Sequence, residues 1–184
     1  MTAGTATGRT LVLGGARSGK SRHAQLLAEH AGPAPWTYIA TAEALDPEME
    51  QRIAAHRRDR GPDWRTVEAP HDLATALAAA AAPDRVVLVD CLTLWLSNRL
   101  LADADLAADS AALEAAFAAA PGTVICVANE VGLGIVPDNA LARRFRDAAG
   151  RLNQLLAARA DRVLFMAAGL PLSLKGDSPP LAPA

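Results

Sequence analysis

The clearest chemistry in the chain sits in eight consecutive residues, Gly14, Gly15, Ala16, Arg17, Ser18, Gly19, Lys20 and Ser21, reading G-G-A-R-S-G-K-S. Glycines at this spacing let successive backbone N–H groups turn inward on phosphate oxygens, and a helix starting near Lys20 adds the positive end of its dipole. The Lys20 ammonium then reaches the β- and γ-phosphates of a purine nucleoside triphosphate, and the Ser21 hydroxyl ligates Mg²⁺. A glycine-rich turn with a chance Lys-Ser is the bland alternative. The apolar Leu11–Leu13 before the loop and the helical pattern after it decide for the nucleotide. Such a metal also needs a carboxylate at the end of a neighbouring strand, and Asp90 closes the apolar run Arg85–Val89. Asp90 as the cap of the following helix is the competing reading. Arg17 either neutralises phosphate charge or is solvated. His23, beside Arg22 on the first helical turn, is expected on the helix surface.

A second group lies farther along. Glu48, Arg52 and His56 recur four apart and so share one helix face, and Arg57, Arg58 and Arg60 follow before Gly61-Pro62. A histidine among cations tends to stay neutral, and its free nitrogen is then nucleophilic. A solvated basic helix end explains the same residues, and spacing alone favours it. Asn129–Gly134, after the fourth apolar run, contains Glu130, either a ligand group or part of a tight glycine turn. Arg143, Arg144, Arg146 and Arg151 line a later helix, facing an anion, a neighbouring subunit or solvent. Trp36, Trp64 and Trp95 read as packing residues, Trp64 with the option of edging a cleft.

These groups need a frame to bring them together. Five apolar runs read as strands: Thr10–Leu13, Trp36–Ala40, Arg85–Val89, Thr123–Ala128 and Arg162–Ala167. Their unbroken apolar character suits strands covered on both faces. Helical segments alternate with them, Lys20–Ala31, Pro47–Arg60, Asp72–Ala82, Ala107–Ala120 and Asn139–Ala160, with Leu100–Ala120 reading as a plain surface helix. Alternation of this kind predicts an α/β fold with a mostly parallel central sheet and helices on both faces. Leu172–Lys175 is expected as a last edge strand. The 184 residues fit a single domain, 1–184, with flexible tails at 1–8 and 176–184.

Composition narrows the function classes. A net charge of −2 and pI near 6.1 give no sign of a nucleic-acid or membrane partner. No signal-like N-terminus and no run of about 18 apolar residues is present, so a cytoplasmic protein without a membrane span is expected. Cys91 and Cys126 lack metal-site spacing and read as buried free thiols.

Four stretches, GGARSGKSRHA, YIATAEALDPEMEQRIAAHRRDRGPDWRTVE, VDCLTLWLSN and ANEVGLGIVPDNALARRFRDAAGRLNQLLA, together resemble the bifunctional adenosylcobinamide kinase/adenosylcobinamide-phosphate guanylyltransferase family. The likeness runs from about Arg9 to about Lys175. The phosphate loop is shared by countless enzymes, whereas the histidine segment and NEVGLGIVP are far more specific. The resemblance implies a RecA-like P-loop fold and a homo-oligomer, commonly a trimer. It implies phosphorylation of the aminopropanol hydroxyl of the corrinoid adenosylcobinamide, then GMP transfer from GTP through a covalent histidine, here His56. ATP or GTP, with Mg²⁺, feeds the kinase step. The GTP-contacting positions it implies are Gly14–Ser21, Ala40, Thr41, Ala42, Arg57, Arg58, Asp59, Arg60, Glu68 and Asp90. Lys20 and His56 are the implied catalytic pair, and Ser21 and Asp90 the metal ligands. The rivals are a P-loop kinase of another small metabolite, without guanylyl transfer, and a RecA-like nucleotide switch. The second would more often show a basic surface or long effector segment.

Overall fold

The computed structural model describes residues 8–43, 51 and 60–177. His56, Arg57, Arg58 and Asp59, and with them nearly all of the expected helix Pro47–Arg60, lie outside the described residues. So does the expected tail from 178 onward.

In chain order the described elements are β1 (Gly8–Gly14), α1 (Lys20–Ala31), β2 (Trp36–Ala40), β3 (Trp64–Glu68), α2 (Leu73–Ala80) and β4 (Val86–Asp90). There follow α3 (Leu92–Leu101), α4 (Leu106–Ala119), β5 (Thr123–Asn129), α5 (Ala140–Arg159), β6 (Arg162–Ala167) and β7 (Leu170–Lys175). The strands form one seven-stranded sheet in the order β3-β2-β4-β5-β1-β6-β7. Every neighbouring pair is parallel except β6–β7. The inner strands are rich in valine, isoleucine and leucine because both of their faces are covered.

Helix α1 covers one face, where Ala24 and Ala28 pack on Val12, Leu88, Ile125 and Leu164. The other face carries α2, α3, α4 and α5. There Leu77, Trp95, Phe117 and Leu152 meet Ile39, Val87, Val124 and Cys126. Alanine's small side chain lets these helices approach closely, which accounts for its abundance. Helices on both faces of a parallel sheet agree with the expectation from sequence.

Two elements differ from that expectation. Strand β3 was not foreseen: it is a partly exposed edge strand whose charged Arg65 and Glu68 interrupt any apolar run. Helix α3 was also missed, and Leu100–Ala120 is not one helix. Helix α3 ends at Leu101, Asp103 takes φ +50°, and the Asp105 carboxylate caps α4 by accepting from Ala107 N and Ala108 N at 3.0 and 3.1 Å. The last strand does lie at the sheet edge, starting two residues earlier than expected and running antiparallel.

Register decides which residues meet. Ala40 pairs with both Glu68 and Asp90, and Gly14 with both Asn129 and Met166. The C-terminal ends of six parallel strands and the start of α1 therefore share one edge, where ligands bind in sheets of this type.

Candidate nucleotide site

At that edge β1 turns into α1 through Gly14–Gly19. Gly14 has φ +159°, and a Cβ there would lie 2.6 Å from Ser18 Oγ and 2.8 Å from the Met166 carbonyl oxygen, so no larger residue fits. Gly19 takes φ +90° and packs against Gly169, where a Cβ would come within 3.2 Å of the Gly169 Cα. Ser18 N donates to Gly15 O at 3.3 Å, and the Ser18 carbonyl accepts from Gly169 N at 3.0 Å. The Lys20 side chain folds back over the loop and donates from Nζ to Gly15 O at 3.1 Å. Lys20 is 8% exposed, so its charge is largely withdrawn from bulk water, where it acts more strongly on a phosphate.

Two buried polar atoms here have no hydrogen-bond partner, Ser18 Oγ and His23 Nε2. An orphaned hydroxyl in a loop of inward amides is what a phosphate oxygen would satisfy. His23 departs from its expected surface position. It is 8% exposed on the sheet side of α1, and burial lowers its pKa.

Asp90 ends β4, partly buried. The N-cap of α3 is Cys91, not Asp90, so the capping reading of Asp90 does not hold. Burial first, and then the Asp90 charge, push the Cys91 thiol up to about 11, against a smaller opposing pull from Lys20. Lys20 and Asp90 thus act on the same buried group. Cys126, wholly buried, is pushed up to about 12 by desolvation, and both thiols are free. Hard oxygens from Asp90 and Ser21 suit Mg²⁺, which takes one or two carboxylates and completes its shell with phosphate and water. Among the described residues no group of three or more His, Cys, Asp or Glu side chains comes together to form an all-protein cage.

Thr41, fully buried, brackets the same edge. Its hydroxyl donates to Cys91 O at 2.7 Å and accepts from Cys91 N at 2.9 Å, while its carbonyl accepts from Asn98 Nδ2 at 2.9 Å. The Thr41 side chain is therefore spent on joining the ends of β2 and β4. Ala40 O accepts from Ala69 N at 2.8 Å, and Ala42 follows on the same edge. Glu68 ends β3 there as well.

Tyr38, the chain's one tyrosine, was not singled out from sequence. Burial, followed by the nearby Asp90 charge, raises its pKa. The Arg60 guanidinium carbon lies 3.5 Å above its ring centroid, and Arg60 is 6% exposed. An aromatic two residues before the strand end, on the face of Asp90, was the available signal.

The segment after β5 leans on the phosphate loop through Glu130 N, which donates to Gly14 O at 3.0 Å. The Glu130 carboxylate accepts from Gly132 N at 2.6 Å, closing the turn. Arg143 donates to Pro137 O and Asp138 O, and Arg144 and Arg146 pair with Asp103 and Asp147. Trp95 is core, as expected, and its Nε1 donates to His71 O at 2.7 Å.

The sequence profile described as cobinamide kinase / cobinamide phosphate guanyltransferase (CobU) matches residues 10–174. The chain belongs to this family. The bifunctional adenosylcobalamin biosynthesis protein CobP of Pseudomonas aeruginosa is 52% identical over 171 residues, spanning 92% of this chain and 98% of the relative. Its counterpart CobU of Salmonella typhimurium is 45% identical over 181 residues, spanning 90% of this chain and 98% of the relative. The fold is shared more widely. The type III secretion ATPase EscN of enteropathogenic E. coli aligns with a TM-score of 0.57 at 12% identity, covering 88% of this chain and 43% of that one. The architecture of this CobU-family chain is thus RecA-like, as the sequence led one to expect. No helix among the described residues is long and apolar enough to cross a membrane.

Proposed function

We propose that this CobU-family chain phosphorylates the aminopropanol hydroxyl of adenosylcobinamide and then moves GMP from GTP onto that phosphate, by way of a GMP-bound His56. The products are adenosylcobinamide-GDP and pyrophosphate. One observation carries the reading: a complete phosphate loop with Lys20 folded over it shares a strand edge with Asp90, in a chain whose family match spans His56.

In the kinase half, the loop amides and Lys20 bind the triphosphate and offset charge on the transferred γ-phosphoryl group. Mg²⁺, held by the Ser21 hydroxyl and the Asp90 carboxylate, would supply further charge neutralisation on the phosphates. In the second half, a neutral His56 nitrogen attacks the α-phosphorus of GTP. The bond to the β-phosphate oxygen breaks and pyrophosphate leaves. A phosphate oxygen of the corrinoid then attacks the same phosphorus and releases the histidine. Dividing the transfer in this way avoids direct attack of one phosphate anion on another. Both described ends of the segment 44–59 are anchored, Glu43 by His71 at 3.1 Å and Arg60 on Tyr38. Arg57, Arg58 and Glu68 are proposed to contact the GTP brought to that segment.

The test is mass spectrometry after incubation with GTP and Mg²⁺, without corrinoid. Pyrophosphate release and a GMP adduct that is labile in acid and stable in base are expected, the behaviour of a phosphoramidate. His56→Ala should lose the adduct and all GMP transfer yet keep phosphorylating adenosylcobinamide. An acid-labile adduct on His56→Ala would move the role to His23, His30 or His71. No adduct on the unmodified protein would leave a kinase alone.

A further inference from the structure

Between β5 and α5, residues 130–139 form an irregular connection at the nucleotide edge. Polar residues are the ordinary choice for such a segment, which has no core to fill. This one reads E-V-G-L-G-I-V-P-D-N, and its large side chains stand in solvent. Leu133 is 81% exposed, Ile135 97% and Val136 64%. Val131 and Leu141 are exposed too, so 131–141 holds five of the ten large apolar side chains exposed among the described residues. Exposed leucines scattered singly are normal, whereas a cluster of this kind marks a surface that something covers.

The segment is held at both ends. Glu130 N donates to Gly14 O at 3.0 Å, and the Glu130 carboxylate accepts from Gly132 N at 2.6 Å. At the far end Arg143 Nη1 donates to Pro137 O and Asp138 O at 2.9 and 2.8 Å, and the Asn139 side chain caps α5 by accepting from Ala142 N at 2.7 Å. The apolar side chains are thus displayed from a tethered frame, which lowers the ordering cost of binding against them.

That frame starts on the first glycine of the phosphate loop. Asn129 stands opposite Gly14 in the β1–β5 register, so the segment leaves the sheet beside the loop. The other exposed apolar side chains are less well placed. Leu172 and Leu174 run down β7 toward the opposite edge, and Leu101 closes α3 about 15 Å from its start.

An acceptor of the γ-phosphoryl group must bring its hydroxyl to the phosphates over Gly14–Lys20. The body of a large acceptor then rests on the surface adjoining the loop. Adenosylcobinamide is a broad macrocycle bearing many methyl groups, and an apolar wall matches it better than a charged one. We propose that Leu133, Ile135 and Val136 form the acceptor wall of the site, taking the apolar part of the corrinoid while the tether to Gly14 sets its hydroxyl over the phosphates. The inference rests on the proposed corrinoid acceptor and is independent of His56 and of the metal.

The test is equilibrium dialysis of adenosylcobinamide against protein loaded with a non-hydrolysable GTP analogue, with affinity for the analogue measured separately. Leu133→Ser and Ile135→Ser should each weaken corrinoid binding by about tenfold, and the double variant by about 100-fold, with the analogue bound as before. In steady state the variants should raise KM for the corrinoid and leave kcat for its phosphorylation near the unmodified value. Leu101→Ser, at the far end of α3, should change nothing. Both wall side chains are exposed, so the variants should melt with the unmodified protein. Undiminished corrinoid affinity in the double variant overturns the wall, as does an equal loss in Leu101→Ser. A smaller mass of the double variant in sedimentation assigns the face to contact between copies of the chain and overturns it too. If the unmodified protein binds no adenosylcobinamide, the acceptor is wrong and the proposed function falls with the wall. Corrinoid binding that the variants leave intact removes the wall alone.

Discussion

The two ends of the candidate nucleotide edge are held by different means. On the β1 side, Gly14–Ser21 is shaped almost wholly by backbone: glycine dihedrals, the Ser18–Gly15 and Gly169–Ser18 hydrogen bonds, and a lysine folded onto a carbonyl. On the β2–β4 side the framework is made of side chains from distant positions, with Thr41 bridging to Cys91 and Arg60 stacked on Tyr38. A phosphate offers the same oxygens whatever it is attached to, so one rigid backbone cradle suits it. Placing a carboxylate and a reactive segment requires particular side chains. Substitution should therefore act as loss of chemistry on the first side and loss of architecture on the second.

Lys20→Ala should give the largest effect. Both half-reactions are expected to fall by about 10²–10³-fold, the usual result of deleting one charge-stabilising donor, with little change in thermal midpoint. Initial rates of phosphorylation and of pyrophosphate release, with a melting curve, check this. Near-normal turnover would remove the loop from the chemistry.

Thr41→Val comes next and probes the other side. It keeps the shape but strips the hydroxyl from a fully buried bracket, leaving Cys91 N without its acceptor. The expected loss is about 1–3 kcal/mol of unfolding free energy, read from urea denaturation. A neutral result would mean that the β2–β4 end is not held by side chains, and the contrast between the two ends would collapse.

The smallest effect is expected at His23. Its Nε2 has no partner, so His23→Leu should be neutral or slightly stabilising at pH 7.5. The sign of its pH dependence follows from burial, which holds the folded-state pKa below the ordinary 6.5. On acidification the unfolded chain binds a proton first. The histidine's contribution is therefore complete above pH 6.5 and is lost as pH falls toward the lowered folded value. Denaturation at pH 7.5 and pH 5.5 should show a drop in the unmodified protein that His23→Leu reduces. An equal drop in both would place the acid sensitivity elsewhere.

What could be read from sequence follows the same division. The loop Gly14–Ser21 and the helix Lys20–Ala31 were legible to the residue because their signals are local: glycines, an apolar run and a helical period. Strand β3 was not, since an edge strand carrying Arg65 and Glu68 has no apolar signature. Helix α3 was hidden because in LTLWLSNRLL the polar Thr93 and Asn98 are buried along with Leu92, Trp95, Leu96 and Leu100, which blurs the apolar period. Thr41 could be placed at the edge by resemblance, yet its bond to Cys91 spans fifty positions and has no local trace. His23 followed the general habit of helix histidines and was misplaced, because the α1 face it occupies is set by the sheet beneath.

The β6–β7 hairpin has a practical side for anyone handling this protein. The Gly169 turn is pressed against Gly19 and bonded to Ser18, and the strand beyond it is pinned where Lys175 Nζ donates to Ala157 O and Ala158 O at 3.0 and 3.2 Å. This outermost ribbon works as a strut behind the phosphate loop. Trimming the chain to tidy its end should therefore stop beyond Gly176, and an affinity handle or fluorescent fusion belongs after that point. One that pulls on β7 would slacken the nucleotide cradle from behind, and in a binding assay it would pass for a defect in the ligand site itself.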